Sequence, residues 1–443
     1  MSADAVLAEF KDVDQGEAFA SSADACEVRF VAGQVKGATV RETSGVGVRA
    51  IKGGKLGFSG TRDTSQAARL QLRQNVLDSL EVGDPSQLVF PPPAEAAPVP
   101  GLFDEATGAL GVPQLGEIGA KVFGALRARH PDVVFEGKVR RSKGQHSLAN
   151  SAGAGFEERY TGFSISVEAN RTRDEDVLLD FVYAGAPAVD GVDPEAVVER
   201  LSQRLRWAER TVEFRPGKVP VVFTPEGSLL LWRPLLQALN GTTVMLGTSP
   251  LRERLGEQVL DPRVSLVDDG RLPGALGSAA YDDEGTPRQR TPLIEGGVLR
   301  GFVHDLDTAQ RTGQQPTGNA QRGGALGQPS PGYTNVLVSG GETPQAELLA
   351  GIDYGLLVHS VIGMGQGNTL PGNFSNPVDV AFLIEHGQVV GRVKDVSLAG
   401  NVYDVLGAKH LLGLSKEVEP VYGTYRLPWV FVKDLNVVGK SAK

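Results

Sequence analysis

The first sixty residues alternate between apolar and polar positions over short stretches that end in glycine-rich turns. Four strands are predicted from this pattern, at residues 25–31, 36–43, 45–51 and 55–59. Gly53-Gly54 is typical of the tight turn of a hairpin between the last two of them. Residues 4–20 are predicted to form a short helix that ends near Gly16. The chain is therefore expected to begin with a helix and an antiparallel meander.

Three later segments bring their apolar residues back to one face at helical spacing, at residues 64–80, 114–129 and 194–211. Alternating strands are predicted between the second and third of these helices, at residues 132–142, 146–151, 155–170 and 176–184. A proline-rich connector at 84–102 fits neither a helix nor a central strand. The order of strands, helix, strands and helix indicates an α+β arrangement.

The length of 443 residues and a proline-bounded segment at 216–220 indicate two domains. We predict an N-terminal α+β domain at residues 1–215 and a mainly-β C-terminal domain at residues 216–443. In the second domain, two similar segments each predict a hairpin with a two-residue turn, Gly296-Gly297 in one and His386-Gly387 in the other.

Composition and charge narrow the classes of function. The formal net charge of −9 and the lack of any run of five like charges disfavour nucleic-acid binding, which needs clustered lysine and arginine. No apolar run approaches the ~20 residues of a membrane span, and the acidic N-terminus does not resemble a signal peptide. We therefore expect a cytoplasmic protein that contacts neither membrane nor nucleic acid. The one cysteine, Cys26, excludes an internal disulfide and is expected to be a buried apolar residue.

Two regions contain residues with the chemistry of a site. The glycine-rich stretch at 363–367 lacks the spacing and the following helix of a dinucleotide fingerprint, so a tight turn or a loop that another chain approaches closely is favoured. His304-Asp305 and the acids at 282–284 offer ligands for a metal. However, a lone histidine beside an aspartate, and three consecutive acids before Gly285, are more often structural.

An ordered series of short motifs spans most of the chain: Ser44-Gly45-Val46-Gly47-Val48-Arg49, Asp282-Asp283-Glu284-Gly285-Thr286-Pro287, Leu293-Ile294-Glu295, His304-Asp305, Pro316-Thr317-Gly318-Asn319 and Ala381-Phe382-Leu383-Ile384-Glu385. This series resembles the TldD/PmbA family, also called modulators of DNA gyrase. The resemblance implies an N-terminal α+β domain, a strand-rich, barrel-like C-terminal domain, and pairing of subunits into dimers.

The resemblance also implies an activity. Proteins of this family look like cytoplasmic metallopeptidases that act on unfolded or extended peptides. The TldD kind of subunit carries an H-E-x-x-x-H helix, whose histidines bind zinc and whose glutamate is the base, and a distal cysteine completes the metal site. Zinc lowers the pKa of its bound water and polarises the scissile carbonyl. The PmbA, or TldE, kind lacks these ligands and is the partner subunit.

In this chain the stretch at 227–241 matches that helix, with Trp232 and Gln237 at the histidine positions and Arg233 at the glutamate position. Indole has no lone pair for a metal, arginine cannot accept a proton, and glutamine is a poor zinc ligand. The C-terminal region also contains no cysteine. We therefore expect no catalytic residue, no metal and no cofactor in this chain, with zinc only in a TldD-type partner. Pro234 predicts a short helix that starts near Trp232 or Arg233.

The resemblance favours a PmbA/TldE-like subunit that is inactive alone and forms a dimer, with a TldD-like homologue or with itself. Such a subunit would help to enclose an extended peptide, held by backbone hydrogen bonds along a strand edge. Gly363, Gly365 and Gln366 are the candidates to line that groove. Two alternatives stay open: a stand-alone peptidase or hydrolase whose site uses His304, Asp305 and the acids at 282–284, or a peptide-binding scaffold.

Overall fold

Six antiparallel strands form one sheet in the first half of the chain, in a computed structural model that describes residues 2–63, 65–174 and 176–439. The strands are β1 (Gln15–Val31), β2 (Gln34–Lys52), β3 (Lys55–Thr61), β4 (Val134–Asn150), β5 (Gly155–Arg173) and β6 (Asp176–Ala186). They lie across the sheet in the order β3-β2-β1-β4-β5-β6. The predicted meander is therefore present, and β4 to β6 extend it on one side.

Helices pack against this sheet and complete its hydrophobic cores. Those described in the first half are α1 (Ala3–Leu7), α2 (Gln66–Glu81), α3 (Glu105–Gly108), α4 (Val112–Arg129) and α5 (Pro194–Trp207). Phe30 of β1 stacks on Phe123 of α4, with 4.5 Å between ring centroids. Cys26 is buried in the same core. A second core joins α2 to the central strands, where Leu72 and Val76 are buried.

Strand boundaries differ from the prediction in two ways. Residues 15–20 belong to β1 rather than to a helix, because Gln15 pairs with Ile51 and the residues that follow are buried in the sheet. In addition, the breaks predicted inside β2 and β4 are absent. β2 continues through Ser44, which pairs with Ser22. Cross-strand pairing therefore makes longer strands than local sequence indicates.

Helix boundaries also shift. Thr64, the predicted start of the second helix, lies outside the described residues, and Ser65 caps α2. The predicted helix at 194–211 ends early, at Trp207. Its last predicted residue, Thr211, instead forms a bridge to Arg392 in the second half of the chain.

Thirteen further strands are described in the second half, and five of them close into a barrel. The strands are β7 (Gly217–Phe223), β8 (Leu266–Asp269), β9 (Arg290–Glu295), β10 (Val298–Leu299), β11 (Ala320–Gln321), β12 (Ser330–Pro331), β13 (Val336–Val338), β14 (Tyr354–Val361), β15 (Asn373–Glu385), β16 (Gln388–Val393), β17 (Val396–Asn401), β18 (Leu411–Val421) and β19 (Tyr425–Gly439). The closed ring is β7-β14-β15-β17-β19, with β19 pairing back to β7. The predicted α+β fold with a strand-rich, barrel-like C-terminal part is confirmed.

Short helices connect the strands of the second half: α6 (Leu229–Ala238), α7 (Gly241–Met245), α8 (Leu306–Thr312), α9 (Gln345–Ala350) and α10 (Val402–Val405). The two predicted hairpin turns are confirmed. Gly296-Gly297 joins β9 to β10, and His386-Gly387 joins β15 to β16, all four residues with positive φ. The predicted boundary between residues 215 and 216 falls between the two sheets. Among the described helices, none is both long and apolar enough to cross a membrane.

Candidate functional site

Helix α6 follows the first barrel strand and forms one wall of the candidate site. It begins at Leu229, so the later start predicted from Pro234 is wrong. Pro234 is tolerated inside the helix because the leucines on both sides of it are buried, and their packing outweighs the lost backbone hydrogen bond. Trp232, Arg233 and Gln237, which stand at the motif positions, therefore all lie on α6.

Trp232 points into the barrel core rather than toward solvent. Its side chain is fully buried, at 0% exposed, and indole Nε1 donates to Oγ of Ser228, one turn earlier, at 2.9 Å. Gln237 is exposed on the same helix. Positions five residues apart on an α-helix project ~140° apart, so Trp232 and Gln237 occupy different faces.

A groove of ~530 Å³ lies between α6 and the segment that joins β14 to β15. Five of the six residues predicted at the motif helix and the glycine loop line this groove: Arg233, Gln237, Gly363, Gly365 and Gln366. The structure thus brings α6 and the glycine loop together, whereas Trp232 is buried in the core and does not line the groove. A larger cavity of ~680 Å³ lies on the N-terminal sheet, beside Asp24 and Lys143, away from these residues.

Polar residues that the sequence reasoning missed complete the groove. They are Thr369, Asn373, Ser375 and Asn376. Thr369 Oγ1 donates to Gln237 Oε1 at 2.5 Å, and Asn376 Nδ2 donates to the carbonyl of Ile362 at 2.9 Å. These threonine, serine and asparagine residues do not form a motif with a recognisable spacing. The sequence signal that could have located them is the alternation of apolar and polar residues at the start of β15.

The first residues of β15 offer an open strand edge along the groove. Residues 373–377 pair with β17 on one side, whereas on the other side backbone pairing begins at Pro377, whose carbonyl accepts from the amide of Ile362 at 2.8 Å. Gly363 and Gly365, which also line the groove, have φ of 74° and 81°, a backbone conformation that favours glycine. An unpaired strand edge of this kind can hydrogen-bond to an added extended chain.

The residues of this groove do not fit zinc. Arg233 and Gln237 present a cation and an amide, and Trp232 is buried. Within residues 2–63, 65–174 and 176–439, no three His, Cys, Asp or Glu side chains lie close enough together to hold a metal. Cys26 lies in the other half of the chain, where burial raises the pKa of its thiol. We therefore derive no metal-dependent step for this chain.

The alternative site is also brought together by the fold, but its carboxylates are already engaged. Asp282 accepts hydrogen bonds from three backbone amides at 2.9 to 3.1 Å. Glu284 accepts from Arg49 of β2 at 2.7 Å. Asp305 caps α8. These acids therefore connect elements of the fold, which agrees with their expected structural role.

Burial controls protonation in this cluster. It raises the pKa of both Asp282 and Glu284, and the charge of Arg49 opposes this shift at Glu284. It lowers the pKa of His304 to about 4. His304 Nδ1 lies 3.2 Å from Oγ1 of Thr308, and its Nε2 has no hydrogen-bond partner in the described part of the chain. The imidazole is thus neutral and enclosed at physiological pH.

His359 of β14 forms a second buried cluster, which the sequence did not reveal. Its Nδ1 lies 3.0 Å from Oγ1 of Thr224, and its Nε2 lies 3.5 Å from Oδ1 of Asp180 in β6. Thr224 also accepts from the amide of Gly227, just before α6. Burial first, and then the charge of Arg204, lower the pKa of His359 to about 4. The cluster therefore links the N-terminal sheet to the turn that positions α6.

Comparison with known proteins decides the family. The profile of the PmbA/TldA metallopeptidase C-terminal domain matches residues 216–439, and that of the PmbA/TldA metallopeptidase domain 1 matches residues 16–81. The chain belongs to the PmbA/TldD family. The first match contains α6, the glycine loop and the start of β15, so the whole groove lies within the C-terminal domain of this PmbA/TldD protein.

The chain is similar to one solved structure over nearly its full length and to curated relatives over smaller shares of it. TldE from Thermococcus kodakarensis has a TM-score of 0.90 and 25% identity, and the match covers 98% of this chain and 99% of that one. An uncharacterized protein of Methanocaldococcus jannaschii is 27% identical over 368 residues, 82% of each chain. A metalloprotease of the same organism is 32% identical over 191 residues, which cover 43% of this chain and 42% of that protein.

Proposed function

We propose that this PmbA/TldD protein is the non-catalytic, TldE-type subunit of a zinc metallopeptidase. It would hold unfolded or extended peptides for cleavage by a zinc-bearing, TldD-type partner. The observation that carries the proposal is the groove at α6, which presents Arg233 and Gln237 where metal ligands and base are expected. The match to TldE over nearly the full length of both chains supports the same assignment.

The geometry of the groove suits an extended peptide held mainly through its backbone. β15 offers an open edge at residues 373–376, and hydrogen bonds along a strand edge bind peptides with little sequence preference. Gly363, Gly365 and Gln366 line the same groove. In this proposal, the partner supplies the zinc-bound water, and this chain supplies a peptide-binding surface.

Co-expression tests the partnership. A tagged copy of this chain would be produced together with a homologue that carries H-E-x-x-x-H, and the product sized by gel filtration with light scattering. We expect a heterodimer that cleaves an unfolded protein, such as reduced and carboxymethylated lactalbumin, in a chelator-sensitive manner. Each chain alone should be inactive. A stable homodimer of this chain that ignores the homologue contradicts the proposal.

Measurements on the isolated chain separate the alternatives. One equivalent of zinc together with chelator-sensitive cleavage by this chain alone would establish a stand-alone peptidase and overturn the proposal. Peptide binding by a chain that has no proteolytic partner would instead favour a scaffold. The complete burial of Asp282 and Glu284 weighs against a hydrolytic site at those acids.

A further inference from the structure

The groove at α6 contains a single charge. Among the described residues that line it, Arg233 alone is charged, and the others are apolar residues, glycines and neutral amides or hydroxyls. No carboxylate of the described residues forms an ion pair with its guanidinium, whose polar contact is Met364 Sδ at 3.9 Å. A thioether is a weak acceptor, so Arg233 retains its capacity to bind an anion.

The surroundings strengthen this capacity. Leu230, Pro234 and Phe374 form apolar parts of the wall, and a charge beside such walls is screened less than one on an open surface. The neutral polar neighbours are partly engaged with one another, since Gln237 accepts from Thr369. Arg233 is thus the group most available to a ligand.

The alignment of α6 with the H-E-x-x-x-H helix implies opposite charges at one position in the two kinds of subunit. Arg233 stands at the position that matches the glutamate of the TldD-type helix, so the corresponding wall changes from an anion to a cation. We propose that Arg233 binds a carboxylate of the peptide in the groove, either its C-terminus or an Asp or Glu side chain. A guanidinium pairs with carboxylate through two parallel hydrogen bonds. This inference rests on the proposed function, because it assumes that a peptide occupies the groove.

Calorimetric titration of the full chain with three ten-residue peptides tests the inference. The first has neutral side chains and a free C-terminal carboxylate, the second is its C-terminal amide, and the third is the amide with one central aspartate. We expect at least one carboxylate peptide to bind about 5- to 10-fold more tightly than the neutral amide, as for a partly screened charged hydrogen bond. The preference should shrink in 0.5 M salt.

Two variants assign the effect. Arg233→Gln should remove the preference, whereas Arg140→Gln, which removes another exposed arginine, in β4, should keep it. Equal binding of all three peptides by the wild-type chain would overturn the role of Arg233 and leave peptide binding intact. A preference that survives in Arg233→Gln would overturn it as well. If none of the peptides binds, the peptide-holding role itself fails.

Discussion

At the scale of the residue, α6 contains positions with opposite environments. Trp232 fills the barrel core, and its indole donates to Ser228, while Gln237 is exposed in the groove. Residue chemistry predicts that Trp232, Arg233 and Gln237 form no zinc site. The face of each residue could not be predicted, because Pro234 indicated a later start for the helix. Packing of the flanking leucines decided otherwise.

Substitutions on α6 should separate these environments. We expect Trp232→Ala to lower the free energy of unfolding by about 3–5 kcal/mol, since it leaves a large cavity in the core. Gln237→Ala, on the exposed face, should change it by less than about 0.5 kcal/mol. Urea denaturation followed by circular dichroism measures both. Similar small effects from the two variants would show that Trp232 is not a core residue.

At the scale of the element, tight turns were predicted better than strand lengths. The residues of a two-residue hairpin turn lie next to one another in sequence, so Gly296-Gly297 and His386-Gly387 were identified directly. The extent of β1 and β2 depends on pairing between strands, and local alternation started β1 too late and interrupted β2 at Ser44. Closure of the barrel depends on β7 pairing with both β14 and β19, which are distant in the chain.

The turn between β9 and β10 offers a matched pair of glycines. Both have positive φ, but a Cβ on Gly297 would lie 2.3 Å from the carbonyl oxygen of Leu260, whereas the nearest atom to a Cβ on Gly296 is 3.7 Å away. We expect Gly296→Ala to cost about 1 kcal/mol from backbone strain alone. Gly297→Ala should cost about 3 kcal/mol or more, because the backbone must also move. Equal losses in urea denaturation would contradict the clash.

At the scale of the whole molecule, a buried ion network joins the two halves of the chain. Arg49 of β2 binds Glu17 of β1 at 2.8 and 2.9 Å and Glu284 of the second half at 2.7 Å. Arg322 also pairs with Glu17. The charges of Arg49 and Arg322 hold the pKa of Glu17 below its usual value although burial raises it. Arg49 therefore joins carboxyl groups from the two halves, and Arg322 adds a second cation beside Glu17.

Removal of one member should unbalance this network. We expect Arg49→Met to lower the free energy of unfolding by about 3–5 kcal/mol, because Glu284 loses its guanidinium partner and Glu17 keeps only that of Arg322. Arg41→Met, at an exposed position on the same strand, should have an effect below about 0.5 kcal/mol. Guanidinium denaturation at pH 7 distinguishes the two. A small effect of Arg49→Met would mean that the network adds nothing to the contact between the halves.

The cluster around His359 should make the stability of the molecule depend on pH. Imidazole normally titrates near pH ~6.5, and burial together with the facing Arg204 lowers the pKa of His359 to about 4, although Asp180 and Glu226 oppose this shift. The folded state therefore keeps the ring neutral. This contribution to stability is complete above pH ~6.5 and is lost as pH falls toward 4, because the unfolded chain binds the proton first.

A variant isolates that contribution from the general effect of acid. His359→Gln retains a side chain that can hydrogen-bond to Thr224 but removes the titration. The wild-type chain should lose about 2 kcal/mol more free energy of unfolding than the variant between pH 7 and pH 4.5. Urea denaturation of both proteins across this range measures the difference. Parallel pH profiles would mean that the pKa of His359 is the same in the folded and the unfolded chain. In that case its burial between β6, β14 and α6 would not disfavour the charged imidazole.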